Sequence, residues 1–175
     1  MKLLLHGEYT ERLMFAELTK KYYEELIPFF SHANTVKFLG LGDIPTAEKR
    51  CETWFDKCDY RIKNNLGNMN ALIDRHSGKF VGQCGLLVQE VDNITELEIG
   101  YSILPKYWNM SYASEAAKKC KSYAFEHQLA KSLISIVHVE NLASAKVAEK
   151  NGMQKEKQTF FQGSPVNIFR IHLNK

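Results

Sequence analysis

Between Glu96 and Val139 the chain reads ELEIGYSIL, then PKYWNMSYASEAAKKCKSYAFEH, then SLISIVHV, and no other stretch constrains the fold as tightly. In the first segment Glu96, Glu98, Gly100 and Ser102 alternate with Leu97, Ile99, Tyr101 and Ile103, the period of a strand with two unlike faces. In the second, Ala113, Ala116, Ala117, Cys120, Tyr123 and Ala124 recur at intervals of three and four, which marks an amphipathic helix. The third is apolar at nearly every position from Leu133 to Val137, as in a strand covered on both faces. Strand, helix and buried strand in that order form a βαβ unit, whose two strands run parallel.

The remaining segments arrange themselves around this unit. TERLMFAELT, from Thr10, is a first strand. KKYYEELIPFFSHANTVKFLG places Tyr22, Tyr23, Leu26, Ile27 and Phe30 at helical spacing, with Pro28 expected to end or kink that helix. A second helix starts at Thr46, its N-cap, and carries the stripe Cys51, Trp54, Phe55, Cys58 and Ile62 until LGNMN closes it with turn residues. Three antiparallel strands follow from Asn70 to Leu104, separated by a hairpin turn at Ser77-Gly78 and a wider break at EVDN. NLASAKVAEKNGM is a short helix stopped by Asn151-Gly152, and the chain finishes in a hairpin around Gly163-Ser164-Pro165. The expected fold is a single α/β (mixed α+β) domain over residues 1–175. Its central sheet is mixed and mostly antiparallel, with one parallel βαβ pair and helices on both faces.

Composition narrows the function. The 175 residues are 45% hydrophobic and 25% charged, enough for one full core. A net charge of +3, with basic residues scattered through Lys20-Lys21, Lys49-Arg50, Lys118 to Lys121 and Lys155, lacks the clustered excess of a dedicated nucleic-acid binder. Leu3-Leu4-Leu5 is far shorter than the roughly 7–15 apolar residues of a secretory signal and reads as a short strand or arm. No run approaches the roughly 18 apolar residues of a membrane span. Cys51, Cys58, Cys84 and Cys120 form no C-x-x-C pair and have no histidine at zinc spacing, so a reducing, cytoplasmic setting without a metal site is expected. Phe160-Phe161, on the last hairpin, is either a surface for a homodimer or part of the core.

The segments ELEIGYSILPKYWNMSYASEAAKKCKSYAFEH and SLISIVHVENLASAKVAEKNGM together resemble the GNAT superfamily of acetyl-CoA-dependent N-acetyltransferases. Within it the chain is similar to the branch of ribosomal-protein N-terminal acetyltransferases, whose first strand TERLMFAELT also matches, so the resemblance spans nearly the whole chain. It implies that the fourth strand and the buried strand splay apart, with the pantetheine arm of acetyl-CoA between them on the backbone of Tyr101 and Ile103. It further implies that the pyrophosphate rests on the amides of Asn109, Met110, Ser111, Tyr112, Ala113 and Ser114, where unpaired N–H groups and the helix dipole favour an anion. The branch reads Trp-Gly-x-Gly-Tyr-Ala there. This chain reads Trp108-Asn109-Met110-Ser111-Tyr112-Ala113. Asn109 tolerates a left-handed backbone, whereas Ser111 brings a Cβ together with a hydroxyl that can bond a phosphate oxygen or cap the helix.

ENLASAKVAEKNGM is similar to the family's Asn-x-x-Ser/Ala pattern. By that resemblance Asn141 bonds the pantetheine arm, caps its helix, or does both, and Ser144 faces the thiol and assists its departure. The tyrosine that many members place seven residues after the Asn is Ala148 here. An acceptor amine with a pKa of roughly 10 must lose a proton before it attacks a thioester. Glu98, beside the bare backbone of Gly100, is the candidate base, and His138 at the end of the buried strand is its rival. The expected activity is transfer of the acetyl group of acetyl-CoA to a primary amine of a protein N-terminus or a small molecule, by direct attack in a ternary complex. The alternative is a non-catalytic coenzyme A-binding module with an altered pyrophosphate loop.

Overall fold

The alternation at Glu96–Ile103 and the apolar run at Leu133–Val137 become adjacent strands of one seven-stranded sheet in the computed structural model, which describes residues 3–173. The strands are β1 (Leu13–Glu17), β2 (Gly67–Asp74), β3 (Phe80–Val91), β4 (Ile94–Ile103), β5 (Ser132–His138), β6 (Gln154–Phe161) and β7 (Ser164–His172). Their order is β1-β2-β3-β4-β5-β7-β6, and every neighbouring pair is antiparallel except β4 and β5. The helices are α1 (Tyr23–Ser31), α2 (Ala33–Phe38), α3 (Ala47–Lys63), α4 (Tyr112–Glu126) and α5 (Leu142–Lys150).

Strand alternation divides the apolar side chains between two cores. Leu72, Val81, Leu86, Leu97 and Ile99 face α4 and α5, where Ala116, Ala117, Cys120, Ala124 and Ala148 are buried. Met69, Ala71, Phe80 and Leu87 face the other way, against Leu26 and Phe30 of α1 and Cys51, Phe55 and Cys58 of α3. Helices therefore cover both faces, and burial of these side chains supplies most of the driving force. The amino-terminal leucines form an arm. Leu5 is fully buried and donates its N–H to Asn70 Oδ1 at 3.0 Å.

Several local expectations are corrected. Pro28 does not end α1, which runs on to Ser31 with His32 as its C-cap, and the buried Phe29 and Phe30 hold the turn beyond the proline. His32 then caps α2, its Nδ1 accepting from Asn34 N–H at 3.2 Å. Thr46 caps α3 as expected, but Arg61 takes the buried place at the end of the stripe and Ile62 is only half-buried. LGNMN is mostly strand. The turn sits at Asn64 to Leu66, with Asn65 at φ 57°, and β2 begins at Gly67. A Cβ at Gly67 would lie 2.1 Å from the Leu86 carbonyl oxygen, so only glycine fits there.

The two hairpin connections are the reverse of the expectation. Asp92 and Asn93, at φ 51° and 63°, make a tight two-residue turn of the I′ kind between β3 and β4. The break from Arg75 to Lys79 is the wider one, organised by Asp74 accepting from Ser77 N–H and Oγ at 2.8 Å each. The last hairpin turns at Gln162-Gly163, leaving Ser164 and Pro165 inside β7. Phe160 is 73% exposed there, whereas Phe161 packs inward beside Ile136 and Val166. All four cysteines are free and buried, and no helix among the described residues is long and apolar enough to cross a membrane.

Candidate active site

The parallel pair β4–β5 meets at a single residue pair in register, Glu98 with Ile134, and diverges beyond it. Ser135 Oγ donates to the Ile99 carbonyl at 2.9 Å, which shows that Ile99 directs its backbone toward β5. Backbone groups of a strand alternate in direction, so Tyr101 and Ile103 face the same gap. The Ile103 carbonyl is engaged by the Trp108 indole N–H at 2.7 Å.

A cavity of about 390 Å³ opens where the strands part. Among the residues expected to form a site, Glu98, Tyr101, His138, Asn141 and Ser144 all line it. Ser111 and Ser114 border a separate, shallower concavity with Arg12, Lys118 and Lys119, and the other loop residues line neither.

Glu98 is 8% exposed. Its Oε2 accepts from Gln89 Nε2 at 2.7 Å, and the backbone N–H of Ile136 lies near enough to lower its pKa. Burial pushes the carboxyl above its ordinary pKa, against those two groups and the nearby charges of Arg61 and Lys57. The room that Gly100 leaves is not bare, because a Cβ there would lie 2.8 Å from Leu87 Cδ1 and 3.4 Å from Met69 Sδ. His138 is tied at the strand end. Its Nδ1 accepts from Glu140 N–H at 3.2 Å, and its ring lies 5.3 Å from that of Phe38.

Across the cavity Asn141 Oδ1 accepts from Ser144 N–H at 3.1 Å, which is the expected helix cap. Tyr101 was expected to contribute backbone, yet its side chain joins the site. The phenol donates to the Ser144 carbonyl at 2.8 Å and accepts from Ser144 Oγ at 3.2 Å. Burial pushes the phenol well above its ordinary pKa, so it stays protonated and able to donate. The signal was a tyrosine among apolar strand positions, since a buried phenol needs a hydrogen-bond partner.

The loop between β4 and α4 runs through a 3-10 turn at Pro105–Tyr107 and then takes a left-handed backbone at Asn109 and Ser111, φ 62° and 63°. Ser111 occupies the N-cap of α4, but its hydroxyl makes no capping bond. A capping side chain needs an extended N-cap backbone to reach the first helical amides, and the left-handed backbone withholds it. Arg12 braces the loop, donating to the Met110 carbonyl at 3.0 Å and pairing with Glu115 at 2.6 Å. Tyr112 turns its side chain into the core, where its hydroxyl donates to Asp74 Oδ2 at 2.8 Å, so only its amide is offered to a ligand. The amides at the start of α4, the parted strands and the paired hydroxyls fit the pyrophosphate, pantetheine arm and thioester end of acetyl-CoA. Among the described residues no cluster of three or more His, Cys, Asp or Glu is placed to hold a metal ion.

Known proteins resemble this chain in sequence and in fold. Residues 12–154 match the family described as an acetyltransferase (GNAT) domain. The uncharacterized protein YkkB of Bacillus subtilis is 35% identical over 96 residues, 55% of this chain and 56% of that protein. The chain thus spans a little over half the length of that relative. The uncharacterized N-acetyltransferase YoaA of the same organism is 26% identical over 93% of this chain and 94% of its own length. Among solved structures, an acetyltransferase from Agrobacterium tumefaciens superposes with a TM-score of 0.78 at 21% identity, covering 95% and 94% of the two chains. RimL, a ribosomal L7/L12 alpha-N-protein acetyltransferase in complex with coenzyme A, gives 0.76 at 12% identity over 95% and 97%. Spermidine N-acetyltransferase from Vibrio cholerae, in complex with coenzyme A and spermine, gives 0.71 at 15% over 93% and 96%. At these identities the structural likenesses establish the fold alone.

Proposed function

The chain belongs to the GNAT acetyltransferase family, and from that premise we propose that it is an N-acetyltransferase acting on a primary amine by direct attack in a ternary complex. Acetyl-CoA, the acyl donor of that family, supplies the activated thioester. The observation that carries the reading is Glu98, a buried carboxylate of raised pKa that lines the cavity at the last rung before the strands part. In this reading the α4 amides from Ser111 to Ser114, with Asn109 and Met110 shaping the approach, hold the pyrophosphate. The backbone of Tyr101 and Ile103, with Asn141, holds the pantetheine arm, and a β4 amide stabilises the oxyanion that develops at the thioester carbonyl. Glu98 takes the amine proton. The Ser144–Tyr101 hydroxyl pair hydrogen-bonds the departing thiolate, an arrangement consistent with Ala148 standing where many members carry a tyrosine. The thiolate takes its proton from solvent, because a thiol pKa of about 8.5 lies well below that of the buried phenol. A cytoplasmic setting accords with four cysteines that stay free and buried.

The acceptors of the solved relatives span a protein N-terminus and a polyamine, so both classes of amine belong in the first assay. Two measurements test the reading. Coenzyme A at 100-fold over its Kd contributes about 2.7 kcal/mol, which raises Tm by roughly 5–11 °C for a domain of this size. No shift at millimolar coenzyme A removes the cofactor and the activity together. Glu98→Gln is expected to lower kcat/KM at neutral pH by about 10²-fold or more. It also abolishes the rising limb of the pH–rate profile, which the raised pKa of Glu98 places above the ordinary carboxylate range. Unchanged activity in that variant transfers the base role to His138 or to water.

A further inference from the structure

One face of α3 looks into the cavity between the parted strands: Arg50, Thr53, Trp54, Lys57, Cys58 and Arg61, at helical spacing. Three of these six are cations, and Glu98 is the one carboxylate among all the residues lining that cavity. Elsewhere the protein pairs some of its partly buried cations with carboxylates. Arg170 holds Glu96 at 2.6 Å and Arg12 holds Glu115 at 2.6 Å. Within the cavity it does not. Arg50 is spent on the carbonyls of Phe30 and Leu41, whereas Lys57, Arg61 and Glu98 form no salt bridge among the described residues.

Hydrogen bonding shows the same deficit. Arg61, 6% exposed, gives its Nη2 to the Leu66 and Val88 carbonyls at 2.7 and 2.8 Å, but its Nε–H is buried without a partner. Asn68, 2% exposed, also lines the cavity and has a buried Oδ1 with no donor. A buried guanidinium with a spare N–H and a buried unpaired amide oxygen are costly in isolation, and the exposed Lys57, without a carboxylate partner among the described residues, lies beside them. All three are satisfied together by a ligand bearing both an anion and an N–H group. The Lys57 ammonium is disfavoured by burial and then by the Arg61 charge beside it, the condition an incoming anion relieves.

We propose that the acceptor is a primary amine that also carries an anionic group, a carboxylate or phosphate, held by Lys57 and Arg61 while its amine lies between Asn68 and Glu98. The inference rests on the acetyl-transfer reading and adds the substrate class. Polyamines are disfavoured, because any second ammonium meets Lys57 and Arg61.

Two matched sets of acceptors provide the test and separate the two sources of such an amine. The peptide set is Ser-Asp-Ala, Ser-Asn-Ala and Ser-Lys-Ala, each with an amidated carboxyl terminus. The small-amine set is γ-aminobutyrate, butylamine and putrescine. In whichever set turns over, the anionic member is expected to exceed the neutral one in kcat/KM by about tenfold, with the cationic member lowest, as one partly desolvated charge contact provides. Lys57 is exposed enough to substitute without disturbing the core. Lys57→Glu is expected to invert the order of the anionic and cationic members, and Lys57→Gln to shrink the gap between the anionic and neutral members. Turnover blind to charge, or best with the cationic member, overturns the inference and leaves the acetyl-transfer reading standing. No turnover in either set, with coenzyme A still raising Tm, overturns both.

Discussion

Ser111 offers the sharpest test of how the pyrophosphate loop is built. Its backbone sits at φ 63° and ψ 9°, its side chain is exposed, and its hydroxyl makes no capping bond. A residue with a Cβ pays about 1–2 kcal/mol for that conformation. Glycine pays nothing there but loses about 0.4–1 kcal/mol more chain entropy on folding. Ser111→Gly is therefore expected to stabilise the protein by about 0.5–1 kcal/mol, the difference between those two effects. For a chain of this length that is a rise in Tm of roughly 1–4 °C, read by differential scanning calorimetry. Ser111→Ala keeps the Cβ and removes only the idle hydroxyl, so its Tm is expected to stay within about 1 °C of the parent. Titration calorimetry supplies the second readout. Coenzyme A is expected to bind Ser111→Gly at least as tightly as the parent, because the α4 amides carry the anion. A glycine variant that melts no higher than the parent, or an alanine variant that shares its gain, refutes the assignment of the cost to the left-handed backbone.

Other consequences concern stability. Asp74 accepts from the Ser77 hydroxyl and amide and from the Tyr112 hydroxyl, which hold its pKa down to about 2. A depressed carboxyl contributes stability above its unfolded pKa and loses it on acidification, so acid unfolding between about pH 4 and 2 is expected to be less steep in Asp74→Asn. Asp74→Ala strands the buried Tyr112 hydroxyl and is expected to cost about 1–3 kcal/mol in urea unfolding at neutral pH. Arg170→Met removes the bidentate partner of the largely buried Glu96 and is expected to cost about 3 kcal/mol. Adding Glu96→Gln is expected to recover part of that loss. A double variant no more stable than the single one removes the stranded carboxylate as the cause.

The βαβ unit and the two-faced sheet were legible because alternation and helical spacing depend on local sequence alone. The hairpins were not. Ser77-Gly78 looks like a tight turn, yet Asp74 draws Ser77 into a longer one, and the tight turn falls at Asp92-Asn93, where asparagine and aspartate tolerate positive φ as glycine does. Glu98 was singled out for its place beside Gly100, and it lines the cavity. Its raised pKa comes from burial and persists against the hydrogen bond from Gln89, nine residues away along the chain but close across the antiparallel register. The Tyr101 side chain, Lys57, Arg61 and Asn68 were missed as cavity residues because nothing local says that a helix face and two strands converge there. The loop is intermediate. Asn109 and Ser111 were recognisable as stand-ins for glycine, whereas the failure of Ser111 to cap follows from a backbone angle that sequence does not announce.

The single rung between β4 and β5 also has a mechanical meaning. Strands β1 to β4 form one plate of the sheet and β5, β7 and β6 another, and the pair Glu98–Ile134 is where the plates are in register. Any widening or narrowing of the wedge would turn about that point. The carboxylate proposed to accept the proton thus sits where the two plates are joined, the place that such a change would displace least.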